Sequence, residues 1–375
     1  MKIAICINTS WNIYNFRKGL INYFLERGDE VLAIAPRDEY SDKLIQMGCE
    51  FEDVAMSASG LNPIEDFKII GNIRKVLKTH KPDVYLSYTI KPNIYGAIAC
   101  GTVGIPAISN VSGLGTVFLW KGYVKKIATQ LYTFGFRFSS WIFFQNVHDQ
   151  QEFLQIVNVN PNKTSLLPGS GINLNDYQQA PDANNKQLVF LMLARLIVEK
   201  GVNEYAEAIR IVKAKGGQAR FILLGGHDES HSRAIPKANL EQWIDEDLVE
   251  YGGHVDNVQE WIKKSDVVVL PSYREGTPRT LLEAAAMGKP LIATDVPGCN
   301  SVVKDGYNGF LCELKNEEDL ANKMMHVLSL SNEERVRIGQ NSRKHVEEVF
   351  DERLVIDHYS KKIDELTKNQ HSSSK

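Results

Sequence analysis

Residues 266–287 read DVVVLPSYREGTPRTLLEAAAM. The apolar run from Asp266 to Leu270 predicts a buried strand, and the residues from Leu281 to Met287 have the composition of a helix. Thr277 fits the N-cap of that helix and Pro278 fits its first helical position. The loop between them therefore lies at the carboxyl end of a strand, where open α/β sheets bind their ligands.

Two glutamates in this stretch are the strongest signature of the sequence. Glu275 lies in the predicted loop, and Glu283 lies in the second turn of the predicted helix. Because helical side chains lean toward the N-terminus of their helix, both carboxylates can face one crevice. The N–H groups at the start of the helix also offer a site for an anion such as a phosphate. The alternative interpretation is a capped helix with two solvated glutamates.

Apolar runs and amphipathic stretches alternate along the chain of 375 residues, 43% of which are hydrophobic. This pattern predicts an α/β fold with mostly parallel sheets, and the length predicts two domains. The predicted divisions are an N-terminal Rossmann-like domain over residues 1–170, a linker over 171–186, a second Rossmann-like domain over 187–350, and a C-terminal helix within 351–375 that packs back on the first domain and ends in a disordered tail.

The composition argues against several classes of protein. Lys and Arg number 43 against 46 Asp and Glu, so the formal net charge of -3 argues against a nucleic-acid binder. The five cysteines lack metal-ligand spacing, which argues against a disulfide framework or a zinc site and favours a reducing cytosol. No uninterrupted apolar run reaches the length of about 18 residues that predicts a membrane-spanning helix.

The stretch from Ser272 to Ala284 resembles the retaining glycosyltransferases of family four. The resemblance continues through Gly288–Thr294, the Pro297–Gly298 turn and Asp305–Leu311, in the order and at the distances of that family. It implies the GT-B fold, with two facing Rossmann-like domains. It also implies an enzyme that moves a hexosyl or N-acetylhexosaminyl group, with retention of anomeric configuration, from a nucleotide-diphosphate sugar whose expected nucleotide is UDP.

The resemblance also implies a donor site in the second domain. Arg195 and Lys200 are similar to the family's diphosphate-binding pair, and two fixed cations can stabilise a departing diphosphate without a metal. Glu283 is expected to bind the ribose hydroxyls, and Glu275 is expected to bind hydroxyls of the transferred sugar. For Arg195 and Lys200 the alternative is a solvated turn with no ligand.

Further donor contacts are expected where glycines permit close backbone approach and where the main chain meets the base. The predicted catalytic residues are Glu275, Arg195 and Lys200. The predicted donor-binding residues are Arg195, Lys200, Gly225, Gly226, Val255, Gly276, Thr277, Pro278 and Glu283. No metal site and no cofactor besides the nucleotide sugar is expected, because no Asp-x-Asp pair stands at the end of a predicted strand.

The first domain is expected to hold the acceptor. The loop predicted after its first strand, residues 9–18, lacks the glycine fingerprint of dinucleotide binding. The loop at Val111–Gly113 has no histidine, where many family members place one, and Lys91 is the cationic alternative. The candidate acceptor residues are Asn15, Tyr88, Lys91 and Ser112.

Residues 87–93 and 110–115 resemble a bacterial subgroup that builds O-antigens, capsules and lipid-linked oligosaccharides. This implies a polyprenyl-diphosphate-linked saccharide as the acceptor. Aromatic and basic residues interleave over 118–126 and 134–138, which fits contact with anionic lipid, and a core helix with exposed lysines is the alternative. The expected location is the cytoplasm, peripheral on the cytoplasmic face of the inner membrane.

Two other functions remain open from the sequence. A sugar-nucleotide epimerase or hydrolase with the GT-B fold would need an acid or base to activate water or abstract a proton, and no such constellation is apparent. A non-catalytic nucleotide-sugar sensor would share the binding residues, because binding alone does not prove turnover.

Overall fold

In the computed structural model, which describes residues 1–56, 63–114, 123–180 and 185–373, the chain forms two compact units. Unit 1 comprises Met1–Ser170 and Glu352–Lys375, and unit 2 comprises Gly171–Asp351. The predicted linker lies within unit 2 as far as residue 180. There Ile172 is fully buried, and its N–H donates a 2.8 Å hydrogen bond to the carbonyl of Phe350.

Thirteen strands and fourteen α-helices make up the described parts of the two units. The strands of unit 1 are β1 Lys2–Cys6, β2 Glu30–Ala35, β3 Glu50–Asp53, β4 Val84–Tyr88, β5 Ala107–Val111, β6 Ser139–Phe144 and β7 Thr164–Leu166. Those of unit 2 are β8 Val189–Leu193, β9 Arg220–Leu224, β10 Glu250–Tyr251, β11 Val267–Leu270, β12 Leu291–Thr294 and β13 Gly309–Cys312.

The helices follow the same division. Unit 1 contains α1 Ser10–Glu26, α2 Ser41–Gln46, α3 Pro63–His80, α4 Ala97–Gly101, α5 Tyr123–Phe136 and α6 Val147–Ile156, with a π-helical turn at Pro92–Gly96 before α4. Unit 2 contains α7 Val202–Ala214, α8 Lys237–Asp245, α9 Val258–Lys264, α10 Arg279–Ala286, α11 Cys299–Val302, α12 Glu317–Ser329 and α13 Asn332–Val349. The last helix, α14 Glu352–Ser373, returns to unit 1.

The sheet of unit 1 is parallel, with the strand order β3-β2-β1-β4-β5-β6-β7. Successive side chains of a strand point to opposite faces, so Ala4 and Cys6 enter one apolar cluster while Ile3 and Ile5 enter the other. Helix α14 covers the second cluster with Val355, Tyr359 and Ile363. Both faces of the sheet are therefore buried, as parallel sheets require.

The sheet of unit 2 is also parallel and has the order β10-β9-β8-β11-β12-β13. Sequence order reverses between β8 and β11, which lie side by side, with Val267 opposite Phe190 and Val268 opposite Leu191. At such a switch point the loops after neighbouring strands turn to opposite faces and leave a crevice at the carboxyl ends. The fold thus puts the loops after β8 and β11 at one place.

Two helix starts differ from the sequence predictions. Helix α10 begins at Arg279 with Pro278 as its N-cap, so the assignment of the cap to Thr277 is wrong by one residue. The reason is that Pro278 has extended backbone (ψ 114°) while its carbonyl already accepts from the N–H groups of Leu281 and Leu282.

Helix α1 begins earlier than predicted. The expected loop over residues 9–18 is wrong for most of its length, because Thr9 caps the helix and its side chain accepts from the N–H of Asn12 at 3.2 Å. Asn15 consequently lies on α1 and donates to the carbonyl of Trp11, one turn earlier, at 2.9 Å.

Candidate functional site

An ion pair joins the loops that follow β8 and β11. The Lys200 ammonium contacts Oε1 of Glu275, and both side chains are largely shielded from solvent. Lys200 ends a short 3₁₀ turn, Val198–Lys200, and Glu275 precedes α10. The structure therefore brings two of the predicted catalytic residues into direct contact, although they are 75 positions apart.

Glycine at 201 allows the Lys200 turn to approach the Glu275 loop. Gly201 has φ +74°, and a Cβ at this position would lie 2.0 Å from the carbonyl oxygen of Pro271. Two residues earlier, the carbonyl of Glu199 accepts a 2.8 Å hydrogen bond from the N–H of Tyr273. Any side chain at 201 would separate these two segments.

A second glycine holds the Glu275 loop from its other side. The N–H of Glu275 donates to the carbonyl of Pro297 at 3.2 Å. Gly298 has φ +87°, and an added Cβ would lie 2.4 Å from the carbonyl oxygen of Glu275. The Pro297–Gly298 turn therefore fixes the backbone at Glu275, which explains why this turn accompanies the glutamate in the sequence.

Glu283 is 7% exposed and has two donors. Its Oε1 accepts from the Tyr177 hydroxyl at 2.9 Å and from Arg279 Nε at 3.0 Å. Within the described ranges Oε2 has no such donor, so it remains an acceptor for a ligand hydroxyl. Burial, together with the neighbouring Glu283 carboxylate, raises the pKa of Tyr177 and keeps its hydroxyl a donor.

The two glycines after β9 play different parts. Gly225 packs on the loop after β8, since a Cβ there would lie 1.7 Å from the carbonyl oxygen of Ala194. The N–H of Gly225 donates to the carbonyl of Gly253 at 2.8 Å, and the carbonyl of Gly225 accepts from the Tyr251 hydroxyl at 2.9 Å. Gly226 has no atom within 4 Å of an added Cβ, so it leaves open space beside this packed turn.

Arg195 is exposed in the loop after β8. Unlike Lys200, its guanidinium forms no ion pair or hydrogen bond with any residue that the structure describes. It is thus available to an anionic ligand. In the described residues, no contact places Arg195 against Lys200 or Glu275. Val255, another predicted donor-binding residue, lies half-buried against the apolar cluster that contains Leu224.

The start of α10 is anchored to the site. The Thr280 hydroxyl donates to the carbonyl of Leu193, the last residue of β8, at 3.1 Å. Gly276 and Thr277 are half-buried in the preceding loop, and Pro278 is buried. This anchor fixes the N-terminal end of α10, and with it Glu283, relative to β8.

Four supporting residues were not identified from the sequence, namely Tyr177, Tyr273, Arg279 and Thr280. Tyr273 donates from its hydroxyl to Oε1 of Glu204 at 2.6 Å, which secures the Glu275 loop against α7. Of these four, only Arg279 could be predicted from the sequence, because an arginine four residues before a glutamate on the same helix forms an ion pair with it.

The candidate acceptor residues of unit 1 differ in their surroundings. Asn15 and Ser112 are exposed, whereas Tyr88 is buried beneath the guanidinium of Arg17, 4.0 Å from its ring centre. Lys91 is buried and forms a 3.1 Å ion pair with Asp66. The structure therefore places only two of the four side chains at the surface.

A buried polar network beside these residues was also missed. Asn93 Nδ2 donates to the carbonyl of Asn110 at 2.8 Å, and Asn110 Nδ2 donates to the Tyr359 hydroxyl at 2.8 Å. Thr89 has φ +63°, a conformation that is rare for a β-branched residue. These residues lie at the carboxyl ends of β4 and β5, the edge expected to carry ligand contacts.

Comparison with known proteins decides the family. The sequence matches the model for glycosyl transferases group 1 over residues 175–345 and the model for glycosyl transferase 4-like proteins over residues 2–146. Over 98% of its length it is 31% identical to the whole of the N,N'-diacetylbacillosaminyl-diphospho-undecaprenol alpha-1,3-N-acetylgalactosaminyltransferase of Campylobacter jejuni. The chain belongs to the group 1 glycosyl transferases.

A second relative and a solved structure are similar to this glycosyl transferase over most of its length. It is 26% identical, over 77% of its length and 79% of the relative, to the UDP-Gal:alpha-D-GlcNAc-diphosphoundecaprenol alpha-1,3-galactosyltransferase of Escherichia coli. Its fold matches the Anabaena protein HepE in complex with UDP and glucose, with a TM-score of 0.80 at 19% identity over 97% of this chain and 100% of that one. The predicted family, GT-B fold and glycosyl-transfer activity are confirmed, and the epimerase, hydrolase and sensor alternatives are not favoured.

Two further findings concern metal binding and membrane-spanning helices. Among the side chains that the structure describes, no three His, Cys, Asp or Glu residues are arranged to hold a metal ion. Across the same residues, no helix is both long enough and apolar enough to span a membrane.

Proposed function

We propose that this glycosyl transferase binds a UDP-sugar at the carboxyl ends of β8, β9 and β11. It would transfer the sugar, with retention, to a saccharide carried on a polyprenyl diphosphate. The observation that carries the proposal is the contact between Lys200 and Glu275 across the switch point of the sheet. This contact puts a cation beside a carboxylate at the place where a sugar diphosphate needs both.

The nucleoside end of the donor is assigned to Glu283. Its Oε2 is available to accept from ribose hydroxyls, while Tyr177 and Arg279 hold Oε1. A carboxylate is acceptor-only and can receive two hydroxyls. The open backbone at Gly226 gives space for the nucleotide next to the close-packed Gly225.

The reacting end is assigned to Arg195, Lys200 and Glu275. As the bond from the anomeric carbon to the diphosphate oxygen breaks, negative charge accumulates on the diphosphate, and the two cations stabilise it. The acceptor hydroxyl oxygen bonds to the anomeric carbon, and its proton leaves with UDP. Glu275 orients the sugar through its hydroxyls. Since the two cations supply the charge, we propose that the reaction needs no metal.

The donor and acceptor classes rest on relatives. The Campylobacter jejuni relative is named as an N-acetylgalactosaminyltransferase, and the Escherichia coli relative is named as a galactosyltransferase that uses UDP-Gal. Both names specify an acceptor on diphospho-undecaprenol. We assign the acceptor to unit 1, with Asn15, Tyr88, Lys91 and Ser112 as its candidate contacts. We place the enzyme in the cytoplasm, peripheral on the inner membrane, because the prenyl chain of such an acceptor stays in the bilayer.

The test is transfer by purified protein. UDP-linked glucose, galactose and their N-acetylamino forms are offered one at a time with a short-chain polyprenyl-diphosphate monosaccharide, and products are resolved by mass. A product heavier by one sugar is expected with at least one donor, in EDTA as well as in added magnesium. Free sugar or an epimerised donor without transfer, or UDP binding without turnover, would overturn the proposal. Activity abolished by EDTA and restored by magnesium would overturn the metal-free site.

A further inference from the structure

Helix α5 of unit 1 carries an exposed apolar face. Ile127, Phe134 and Phe138 are 49%, 51% and 36% exposed, and Leu131 is half-buried between them. Their spacing of four, three and four residues aligns them along one side of the helix and the turn that follows it. The Phe134 and Phe138 rings are in edge contact, with centroids 5.6 Å apart. These four residues are called the α5 stripe below.

The core of unit 1 does not account for the α5 stripe, because α5 packs inward through a different face. Tyr132 and Phe136 are buried on that inner face, and Tyr132 also contacts the ring of Phe153. Gly135 permits close contact with the π-helical turn, since a Cβ there would lie 2.8 Å from a methyl carbon of Ile94. A helix with one buried face normally has a polar outer face, whereas the outer face of α5 also exposes Ile127 and Phe134.

The sequence on either side of the α5 stripe carries charge of one sign. Residues 84–148 contain no Asp or Glu, and their basic residues are Lys91, Lys121, Lys125, Lys126 and Arg137. Lys126 and Arg137 are exposed near the two ends of the stripe, and neither forms an ion pair with a described residue. The predicted lipid contact at residues 118–122 lies outside the described residues.

A third basic residue lies close to one end of the stripe. The Phe138 ring covers Gly101 at the end of α4, since a Cβ at Gly101 would lie 2.2 Å from that ring. At the next position, Thr102 Oγ1 accepts a 3.2 Å hydrogen bond from Nε of Arg74 on α3. The exposed aromatic pair is thus bordered by cations on two elements of unit 1.

We propose that the α5 stripe docks unit 1 on an anionic lipid surface. Its apolar side chains would enter the boundary between headgroups and acyl chains while Lys126, Arg137 and Arg74 meet the phosphates. A second copy of the chain fits less well, because pairing two stripes would bring the same positive charges together. Lipid is the partner that satisfies both the apolar and the cationic parts of this face.

The experiment measures vesicle binding by the full chain, without donor or acceptor. Co-sedimentation is compared on phosphatidylcholine vesicles with and without phosphatidylglycerol. The wild type is expected to bind only the anionic vesicles and to lose binding steeply as salt rises. The double variant Ile127→Glu/Phe134→Glu is expected to bind at least about tenfold more weakly. Lys126→Gln is expected to weaken binding by about fivefold, as one lost basic residue near the surface should.

Ile45→Glu is the matched control, because Ile45 lies on α2 of the same unit and is 45% exposed. It should bind vesicles as the wild type does. Equal binding by wild type and double variant, or a wild type that ignores anionic vesicles, would overturn the proposal. So would a wild-type dimer that the double variant separates while lipid binding is unchanged. Failure of sugar transfer in the wild type would refute the proposed function and leave these binding results untouched.

Discussion

The Tyr177 hydroxyl donates a 2.9 Å hydrogen bond to Oε1 of Glu283, across 106 positions of the sequence. Tyr177 enters unit 2 in the segment before β8, and its ring lies 5.7 Å from the Arg279 guanidinium that also holds Glu283. The carboxylate assigned to the donor ribose is therefore oriented by two side chains that make no contact with the sugar in the proposed reaction.

Replacing Tyr177 by phenylalanine tests this support. Tyr177→Phe removes one donor to a buried carboxylate, so Glu283 can rotate away from the ligand. We expect the KM for the donor to rise by about three- to tenfold with little change in kcat. Tyr307→Phe, at an exposed tyrosine of unit 2, should behave as the wild type. An unchanged donor KM in Tyr177→Phe would remove Tyr177 from the site.

Glu275 and Lys200 are expected to act as one unit. Glu275→Gln and Lys200→Met should each lower kcat/KM by about 100-fold, because each removes transition-state stabilisation and leaves the other side chain unpaired. The double variant should lose little more than the worse single variant. Arg220→Gln, which breaks a surface ion pair with Glu250 at the amino end of β9, is the control. Fully additive losses would show that the contact has no functional role.

Replacing Arg195 should weaken the binding of UDP and leave the stability of the fold unchanged. Its side chain is exposed and unpaired within the described residues, so Arg195→Gln should leave the melting temperature unaltered. UDP binding should weaken by about tenfold, as expected for one lost charge-assisted hydrogen bond to a phosphate. Arg337→Gln on the exposed face of α13 provides the comparison. Calorimetric titration with UDP measures both, and equal affinities would contradict the assignment.

Alanine variants at two glycines with positive φ distinguish the cost of backbone strain from the effect of moving the Glu275 loop. Gly306→Ala, at φ +71° with open space around it, should cost about 1 kcal/mol of unfolding free energy and leave transfer unchanged. Gly298→Ala, at φ +87°, adds a collision with the Glu275 carbonyl and should reduce transfer by about 100-fold. Equal activity in the two variants, measured with saturating donor, would show that the backbone at Glu275 needs no support from this turn.

His345 should make unit 2 sensitive to acid. Burial lowers its pKa from 6.5, so the unfolded chain takes up a proton at a higher pH than the folded one. The associated stability is complete above about pH 6.5 and is lost as the pH falls toward the folded-state value. The melting temperature should therefore drop as the pH falls below about 6.5.

The matching variants show whether this residue is responsible. His345→Asn should flatten the dependence on pH, although it also loses the packing of the ring on Phe350, whose centroid lies 5.5 Å away. His358→Asn, at an exposed position of α14, should melt with the wild-type dependence on pH. A slope that His345→Asn leaves intact would assign the acid sensitivity to other groups.

The sequence predicted the parts of the site that local pattern controls. The strand, loop and helix around Glu275 and Glu283 could be found because apolar periodicity and capping residues act within a few positions. The family and the fold followed from the motifs in that stretch. The exact start of α10 could not be predicted, since the Pro297–Gly298 turn holds the preceding loop from about twenty residues further along.

What was missed depends on contacts between distant segments. The residues around Tyr177 do not indicate a partner at Glu283, because the polar stretch over 171–186 predicts only a linker. Lys91 was considered as a cation for the acceptor, but the fold pairs it with Asp66 on α3. The loop predicted over residues 9–18 is too long because it overlooks Thr9 as a helix cap. Tertiary structure decides the pairings of Tyr177 and Lys91, whereas the Thr9 cap is a local contact three residues long.

Helix α14 has a consequence for the order in which the molecule can be made. Ile3 and Ile5 share an apolar cluster with Val355, Tyr359 and Ile363, so β1 leaves the ribosome well before the helix that covers it. At about 5–20 residues per second, translation of the intervening chain takes roughly 20 to 70 seconds. Unit 1 therefore completes its core only after unit 2 has been synthesised in full.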